Sequence, residues 1–465
     1  MCGILGMSCS NCRKENQQVF HKLMACGNDI GHRGEQAWGI ITSSMDNMLC
    51  HSQKGRFGEG ITEEMADELA QEMRGDKGLA QTLYSTVGIS GQKKQPKSLQ
   101  PRKADFHGKP FGLTYNGNVY DLSLLREKAQ KAGWNFESEV SDTEVIVALI
   151  STSEKTDFVE ALKEILPQLK GAFALVMLYD GKIIGVRDRH GFRPLSIGRN
   201  EDGFIISSET CAFYPVGANL VRGVRPGEIV VIGDKNIERC IRWADETCHN
   251  FCIFEFVYFA RPDSILCNGR SAYHYRNKAG IILAKEAPVE ADLIIPVPSG
   301  GDIFAESYAS ELGIPLKQGL FKNRFGTRTF MLPRGTDRRS AQRAKSHPLG
   351  EVMWGKRICL IEDSLVRNNV CPEIVAMCFE AGATQVHVRI GAAPIIGPCY
   401  YGIDMHTKDE LAAANLSMEG IREQVGADSL AYLSFDGMIR ATSLPKENLC
   451  LACFDGNYPV SPPTE

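Results

Sequence analysis

"MCGILG", residues 1–6, sets a cysteine directly behind an initiator methionine and follows it with glycine. Removal of Met1 would leave Cys2 carrying a free α-amine and a thiol on one residue. An α-amine has an ordinary pKa of about 8, so a good share is unprotonated at neutral pH and can take up a proton. Nucleophile and general base would then come together, the terminal-amine form of an activated nucleophile. A cysteine near a chain start is more often inert than reactive, so the remaining sequence has to supply the rest of a site.

The chain has 465 residues, 43% hydrophobic and 23% charged, which suits a globular protein of two or three domains. A formal net charge of -4 gives no reason to expect a nucleic-acid or anionic-membrane partner. No apolar run reaches the length of a membrane-spanning helix, and the start lacks a charged-then-apolar leader, so a cytoplasmic protein is expected. The 16 cysteines are scattered rather than regularly spaced. Metal or cluster ligation, catalysis and plain burial suit them better than a disulfide scaffold.

Outward from Cys2, the first half reads as strands and hairpins. "FALVMLYDGKIIGVRD" holds two apolar runs hinged on Asp180-Gly181, a strong hairpin signal. "GFIISSE" and "GEIVVIG" are further strands, while "SLLREKAQKAG" and "EVIVALIS" read as helices. Beyond residue 250 strands and helices alternate. "DLIIPVP", "RICLIED" and "QVHVRIGAA" are buried strands, and "DIFAESYASELG" and "CPEIVAMCFEAG" are helices between them. This βαβ rhythm predicts a parallel sheet with ligands at its carboxyl edge. The expected domains are 2–232 and 252–459, with a disordered tail at "PVSPPTE".

"MCGILG", "GHRGEQAWGI", "TYNGNVYD" and "SDTE" occur in that order. Together they resemble the class II glutamine amidotransferases, which have an N-terminal-nucleophile hydrolase fold, α+β with stacked antiparallel sheets. With "FEFVYFARPDS", "GLFKNRFGTRTF", "EDSLVR" and "CLACFDGNYP" added, the resemblance extends over residues 2–459 to the amidophosphoribosyltransferase family. An α/β phosphoribosyltransferase domain is then expected after the first. The resemblance implies that Cys2 attacks a glutamine amide. Asn116 and the backbone amide of Gly117 would form the oxyanion hole, and Asp142 would pair with the substrate ammonium. Taken alone, "NGN" is a common turn and Asp142 suits a helix N-cap.

The family carries an arginine before the aromatic residue of its "RYST" stretch, where it grips the glutamine carboxylate. Here "AQTLYSTVG" puts Leu83 in that place, with Arg33 or Arg74 as the cations that could compensate. Loss of such a charge-assisted contact costs on the order of 1.5–3 kcal/mol, or roughly 10–150-fold in capture.

For phosphoribosyl pyrophosphate, the resemblance implies an acidic pair, Glu362 and Asp363, handling ribose hydroxyls and Mg²⁺, with Ser364 and Arg367 following. Lys322, Arg324, Arg328 and Lys345 would come from a loop that closes over the substrate. Two phosphate-binding stretches depart from the family. Its Arg-Gly-Thr-Thr is Arg367-Asn368-Asn369-Val370, and its Pro-Asp-Ser is Pro298-Ser299-Gly300. Asparagine tolerates left-handed backbone, so Asn368 can stand in for glycine, whereas Val370 cannot replace a hydroxyl.

Cys450 and Cys453 in "CLACF" form a C-x-x-C spacing that alone fits redox, zinc or no role. Family members with a [4Fe–4S] cluster have two further cysteines, and the matching positions here are Cys252 and Cys399. The resemblance thus implies a glutamine-dependent enzyme forming 5-phosphoribosylamine, the first step of purine synthesis, as a homodimer or homotetramer. A repurposed paralogue with another amine donor or sugar phosphate, and a catalytically silent scaffold, stay open beside it.

Overall fold

Asp180 and Gly181 both adopt left-handed backbone, with φ of 48° and 68°, and they join Lys170–Tyr179 to Lys182–Arg187 in an antiparallel hairpin as their sequence predicts. The structure, a computed structural model, describes the chain apart from residues 11–18, 45–46, 85–98, 137–139, 246, 323–342, 344–345, 369 and 465. Its first half holds β1 (Gly3–Ser8), β2 (Ala37–Ser44), β3 (Asn47–Lys54), β4 (Lys77–Leu83), β5 (Arg102–Phe106), β6 (Lys109–Tyr120) and β7 (Lys170–Tyr179). There follow β8 (Lys182–Arg187), β9 (Ser196–Arg199), β10 (Phe204–Ser207), β11 (Asn219–Gly223), β12 (Glu228–Ile232) and β13 (Ile237–Arg242).

These strands make two antiparallel sheets, ordered β11-β9-β10-β1-β4-β2-β3 and β13-β12-β8-β7-β6-β5. The alternation of β1 shows how they stack. Ile4 joins Ile41, Leu79, Val176 and Val230 between the sheets. Leu5 and Met7 point the other way, onto Phe20 and Leu23 of the helix Val19–Asp29. Helices Asp142–Ser151 and Phe158–Ile165 cover the outer face of the second sheet. The result is the four-layer helix-sheet-sheet-helix stack expected of an N-terminal-nucleophile hydrolase. Because β1 lies inside its sheet between β10 and β4, the chain start is held in the core.

β13 pairs with β12, so the second sheet runs on to Arg242. After it come β14 (Phe251–Cys252), β15 (Leu293–Pro296), β16 (Leu320–Lys322), β17 (Ser346–Pro348), β18 (Arg357–Glu362), β19 (Gln385–Ile390), β20 (Ser429–Tyr432) and β21 (Leu449–Cys450). β15, β18, β19 and β20 form a wholly parallel sheet in that order. Ala272–Glu286 and Asp302–Leu312 cover one face through Tyr275, Leu283 and Phe304. Cys371–Glu380 and Met418–Val425 cover the other through Ile374, Val375 and Ile421. Burial on both faces explains why these strands read as unbroken apolar runs.

The tail corrects one expectation. Tyr401 and Tyr120 donate phenolic hydrogen bonds to the carbonyls of Val460 and Ser461, at 2.7 and 2.9 Å. The Thr464 amide donates to Asp121 at 2.9 Å, so the segment expected to be disordered is fastened across both domains.

Candidate active sites

Cys2 stands immediately before β1, and the glycine behind it has a steric cause. A Cβ on Gly3 would press within 2.8 Å of Thr82 Oγ1 and 3.0 Å of the Ile30 carbonyl. The Gly3 amide donates to that same Thr82 hydroxyl at 3.0 Å. The Cys2 nitrogen donates to Asn116 Oδ1 at 3.3 Å, and the thiol points to the Tyr84 carbonyl at 3.8 Å. Asn116 Nδ2 is buried and has no hydrogen-bond partner. An orphaned amide donor costs about 1–3 kcal/mol, so one beside a thiol is what an oxyanion hole needs before substrate arrives.

Gly117 is sterically obligatory, because a Cβ there would overlap the Ala172 carbonyl. The other domain presses on the same turn. Gly402, with φ +102, sits so that a Cβ would lie 3.1 Å from the Gly117 backbone, and Asn118 Nδ2 donates to the Tyr400 carbonyl at 2.8 Å. Asp142 opens its helix, with Ser141 rather than Asp142 as the N-cap. Its carboxylate accepts from the Tyr115 hydroxyl at 2.7 Å, the Val119 amide at 3.3 Å and the Thr143 amide at 2.8 Å. Burial raises its pKa against the lowering effect of these donors. Beneath, Gln81 donates to Gln100 and to the Tyr115 carbonyl, and Gln100 donates to Thr143, a buried amide network that holds Tyr115 in place.

Arg33 is fully enclosed. Its Nε donates to the Cys2 carbonyl at 3.1 Å, and its terminal nitrogens reach Glu209 and both oxygens of Glu255, the latter at 3.0 and 2.8 Å. Four of a guanidinium's five donors are thereby spent on the protein itself. Arg74 is exposed beyond the far end of β4 and donates to the Gln71 carbonyl at 3.1 Å. Leu83 ends β4 and packs with Cys2 and Ala37 in a small apolar cluster. Met1 is buried too. Burial, then the nearby Arg33 and Arg193 charges, draw its amine down to about 5 against the opposing pull of Cys2 and Glu255.

At the carboxyl edge of the parallel sheet, Glu362 ends β18 and Asp363 follows. Ser364 Oγ donates to Asp363 at 2.6 Å, and the Asp363 amide donates to Glu362 at 3.3 Å. Burial pushes Asp363 up to about 6, and burial with the Asp363 charge raises Glu362. A crowded acidic pair of this kind favours a cation. Arg276 contributes charge here but spends its hydrogen bonds on the carbonyls of Phe256, Val257, Tyr258 and Ala260. Asn368 adopts φ +50, taking the left-handed place of glycine, and donates to Gln424 at 2.9 Å. Its Oδ1 is buried without a partner. Val370 is the exposed N-cap of Cys371–Glu380 and supplies no side-chain cap. Gly300 is forced, since a Cβ there would overlap the Asp363 carboxylate.

Lys322 Nζ reaches Ser299 at 3.4 Å. Arg324, Arg328 and Lys345 lie outside the described residues. Arg367 is engaged elsewhere, by Glu410 and the Asp404 carbonyl, both at 2.5 Å. Asp404 in turn accepts from the Tyr84 hydroxyl at 3.2 Å. The sequence reading missed Tyr84, Tyr115, Glu209, Glu255 and Asp404. Tyr84, Tyr115 and Glu255 lie inside recognised motifs, which was a usable signal, whereas Glu209 and Asp404 carry none.

The four cysteines converge. Cys252 on β14 lies opposite Cys450 on β21, Cys453 follows one residue into Ala452–Asp455, and Cys399 accepts from the Tyr401 amide at 3.4 Å. All four are buried. Burial and then the neighbouring thiols raise Cys453, as Cys399, Cys252 and Cys450 lie within electrostatic reach of it. Among the described residues no three His, Cys, Asp or Glu groups close on one ion.

Residues 90–215 match the family described as "Glutamine amidotransferase domain". The amidophosphoribosyltransferase of Archaeoglobus fulgidus is 38% identical, covering 100% of this chain and 99% of its own. That of Pyrococcus horikoshii is 40% identical over 98% of this chain and 96% of its own. Among solved structures, the glutamine phosphoribosylpyrophosphate amidotransferase from B. subtilis, complexed with ADP and GMP, superposes with a TM-score of 0.89. It is 32% identical and covers 99% of this chain and 98% of its own. With a Cys2 site and a phosphoribosyltransferase-type sheet joined over the whole length of such relatives, this chain belongs to the amidophosphoribosyltransferase family.

Proposed function

We propose that the chain is an amidophosphoribosyltransferase that frees ammonia from an amide donor, glutamine, and joins it to phosphoribosyl pyrophosphate, giving 5-phosphoribosylamine for purine synthesis. The observation that carries this reading is the partnerless Nδ2 of Asn116 beside Cys2. Once Met1 is removed, the Cys2 amine takes the thiol proton and passes it to the departing ammonia. Asn116 and the Gly117 amide stabilise the oxyanion, and Asp142 holds the substrate ammonium. We assign Arg33 a positioning role, through the Cys2 carbonyl, in place of direct contact with glutamine.

Lys322, Arg324, Arg328, Lys345, Ser364 and Arg367 are our candidates for the phosphates. Glu362 and Asp363 would hold Mg²⁺, which neutralises charge on the departing pyrophosphate. Cys252, Cys399, Cys450 and Cys453 would ligate a [4Fe–4S] cluster. Their burial and the pairing of Cys252 opposite Cys450 support that reading. Among the described residues no helix is long and apolar enough to cross a membrane. We place the enzyme in the cytoplasm as a homodimer or homotetramer, as the family resemblance implies.

The test measures phosphoribosylamine formation with glutamine and, separately, with ammonium. Activity with both is expected. Activity with neither would favour a silent scaffold.

A further inference from the structure

We propose that Asn118 is a positioning residue for amide hydrolysis, fixing the Asn116-Gly117 stretch of β6 against residues 399–402 of the second domain. The inference rests on the Cys2 reading above and names what holds that site's oxyanion donors in place.

Asn116 and Asn118 are two residues apart on β6, so their side chains leave the same face of the sheet. Asn116 keeps its partnerless Nδ2 beside Cys2, while Asn118 Nδ2 donates to the Tyr400 carbonyl at 2.8 Å. Between them Gly117 meets Gly402, where a Cβ would stand 3.1 Å from the Gly117 carbonyl carbon and oxygen. Gly402 has φ +102, a backbone that strains any other residue. The second domain therefore backs the oxyanion stretch by close contact and by one side-chain hydrogen bond.

Residues 399–402 are themselves fixed. The Tyr401 amide donates to Cys399 Sγ at 3.4 Å, and its hydroxyl donates to the Val460 carbonyl at 2.7 Å. Its ring is buried and stacks on Phe192, with centroids 4.3 Å apart. Its carbonyl accepts from Arg193 Nε at 2.9 Å. Arg193 lies 3.5 Å from the same Glu255 oxygen that Arg33 meets at 2.8 Å. Arg33 returns to the Cys2 carbonyl and the Cys2 nitrogen to Asn116, so a closed circuit of contacts surrounds the nucleophile. Among the described residues Asn118 makes the one side-chain hydrogen bond from residues 116–118 into 399–402. Oxyanion donors work because they are fixed before charge develops, and a displacement near 1 Å costs on the order of 10²-fold.

The deciding experiment compares Asn118→Asp, which keeps the shape and loses the donor, with Asn118→Ala and the unmodified chain. It uses the full chain with Met1 removal verified by mass spectrometry and phosphoribosyl pyrophosphate present. Glutamate release gives kcat and KM for glutamine, and phosphoribosylamine formation with ammonium reports on the second domain. Both variants are expected to lower kcat for glutamine about tenfold or more, with its KM and the ammonium rate within about twofold. Gly402→Ala, which presses on Gly117 from the other side, is expected to do the same. Asn118→Asp matching the unmodified chain overturns the proposal, because shape alone would then suffice. Equal loss of both activities overturns it by assigning Asn118 to the fold. A raised glutamine KM with unchanged kcat overturns it by assigning Asn118 to substrate binding. Glutamine turned over by no form of the chain overturns the Cys2 reading as well. Asn118 is partly exposed, so its variants decide even where Gly402→Ala fails to fold.

Discussion

Arg33 meets both carboxylate oxygens of Glu255, at 3.0 and 2.8 Å, while its Nε holds the Cys2 carbonyl. The nucleophile's backbone is thus braced by a residue of the second domain. Breaking a buried pair by removing one partner costs about 3–5 kcal/mol, because the other charge is left unpaired. Glu255→Ala leaves Arg33 with Glu209 alone and is expected to lower the unfolding free energy, read from guanidinium chloride denaturation, by up to that order, and to depress amide hydrolysis with it. An unchanged midpoint would show that the pair is not holding the domains together.

Glu209 shares the same guanidinium. Burial alone would raise its carboxyl, but Arg33, with His32 and Ser264, outweighs this and holds it well below its ordinary 4.5. A carboxyl whose folded pKa is depressed binds protons more readily when unfolded. Its stabilisation is therefore complete at neutral pH and is lost as pH falls through about 4.5 towards the folded value. Denaturation midpoints measured from about pH 6 to about pH 3 should fall in the unmodified chain. The slope should flatten in Glu209→Gln.

Asn116→Ala removes the free donor while keeping the strand. Loss of one oxyanion donor costs about 10²–10³ in kcat. Glutamine-supported synthesis should fall by that factor, and ammonium-supported synthesis should persist because it bypasses the amide site. Equal loss of both would place Asn116 in the fold rather than the chemistry.

Asn368 is the test of the rebuilt phosphate loop. Its left-handed backbone costs a branched residue about 1–2 kcal/mol. Asn368→Gly should keep the KM for phosphoribosyl pyrophosphate close to that of the unmodified chain. Asn368→Val should raise it.

Cys453→Ser should abolish cluster binding, read as iron and sulfide content and visible absorbance after anaerobic purification. A variant that keeps its iron would remove Cys453 from the ligand set.

Local chemistry was written plainly in the chain. The Asp180-Gly181 hairpin and the apolar parallel strands each follow from backbone preference and periodicity over a few residues. Cys2, Asn116 and Asp142 were legible because the family resemblance marks their motifs. The aligned cysteines were legible for the same reason, though their convergence was not. What only the tertiary structure decided is who partners whom. Arg33 looked like a hand for glutamine. In the folded chain it is claimed by carboxylates 176 and 222 residues away, an encounter no spacing rule encodes. Leu83 looked like a lost contact, and the fold makes it a wall against the thiol. The physical reason is range. Propensity and turn geometry act between neighbours in sequence, whereas charge pairing and packing act between neighbours in space, and only the closed core fixes those.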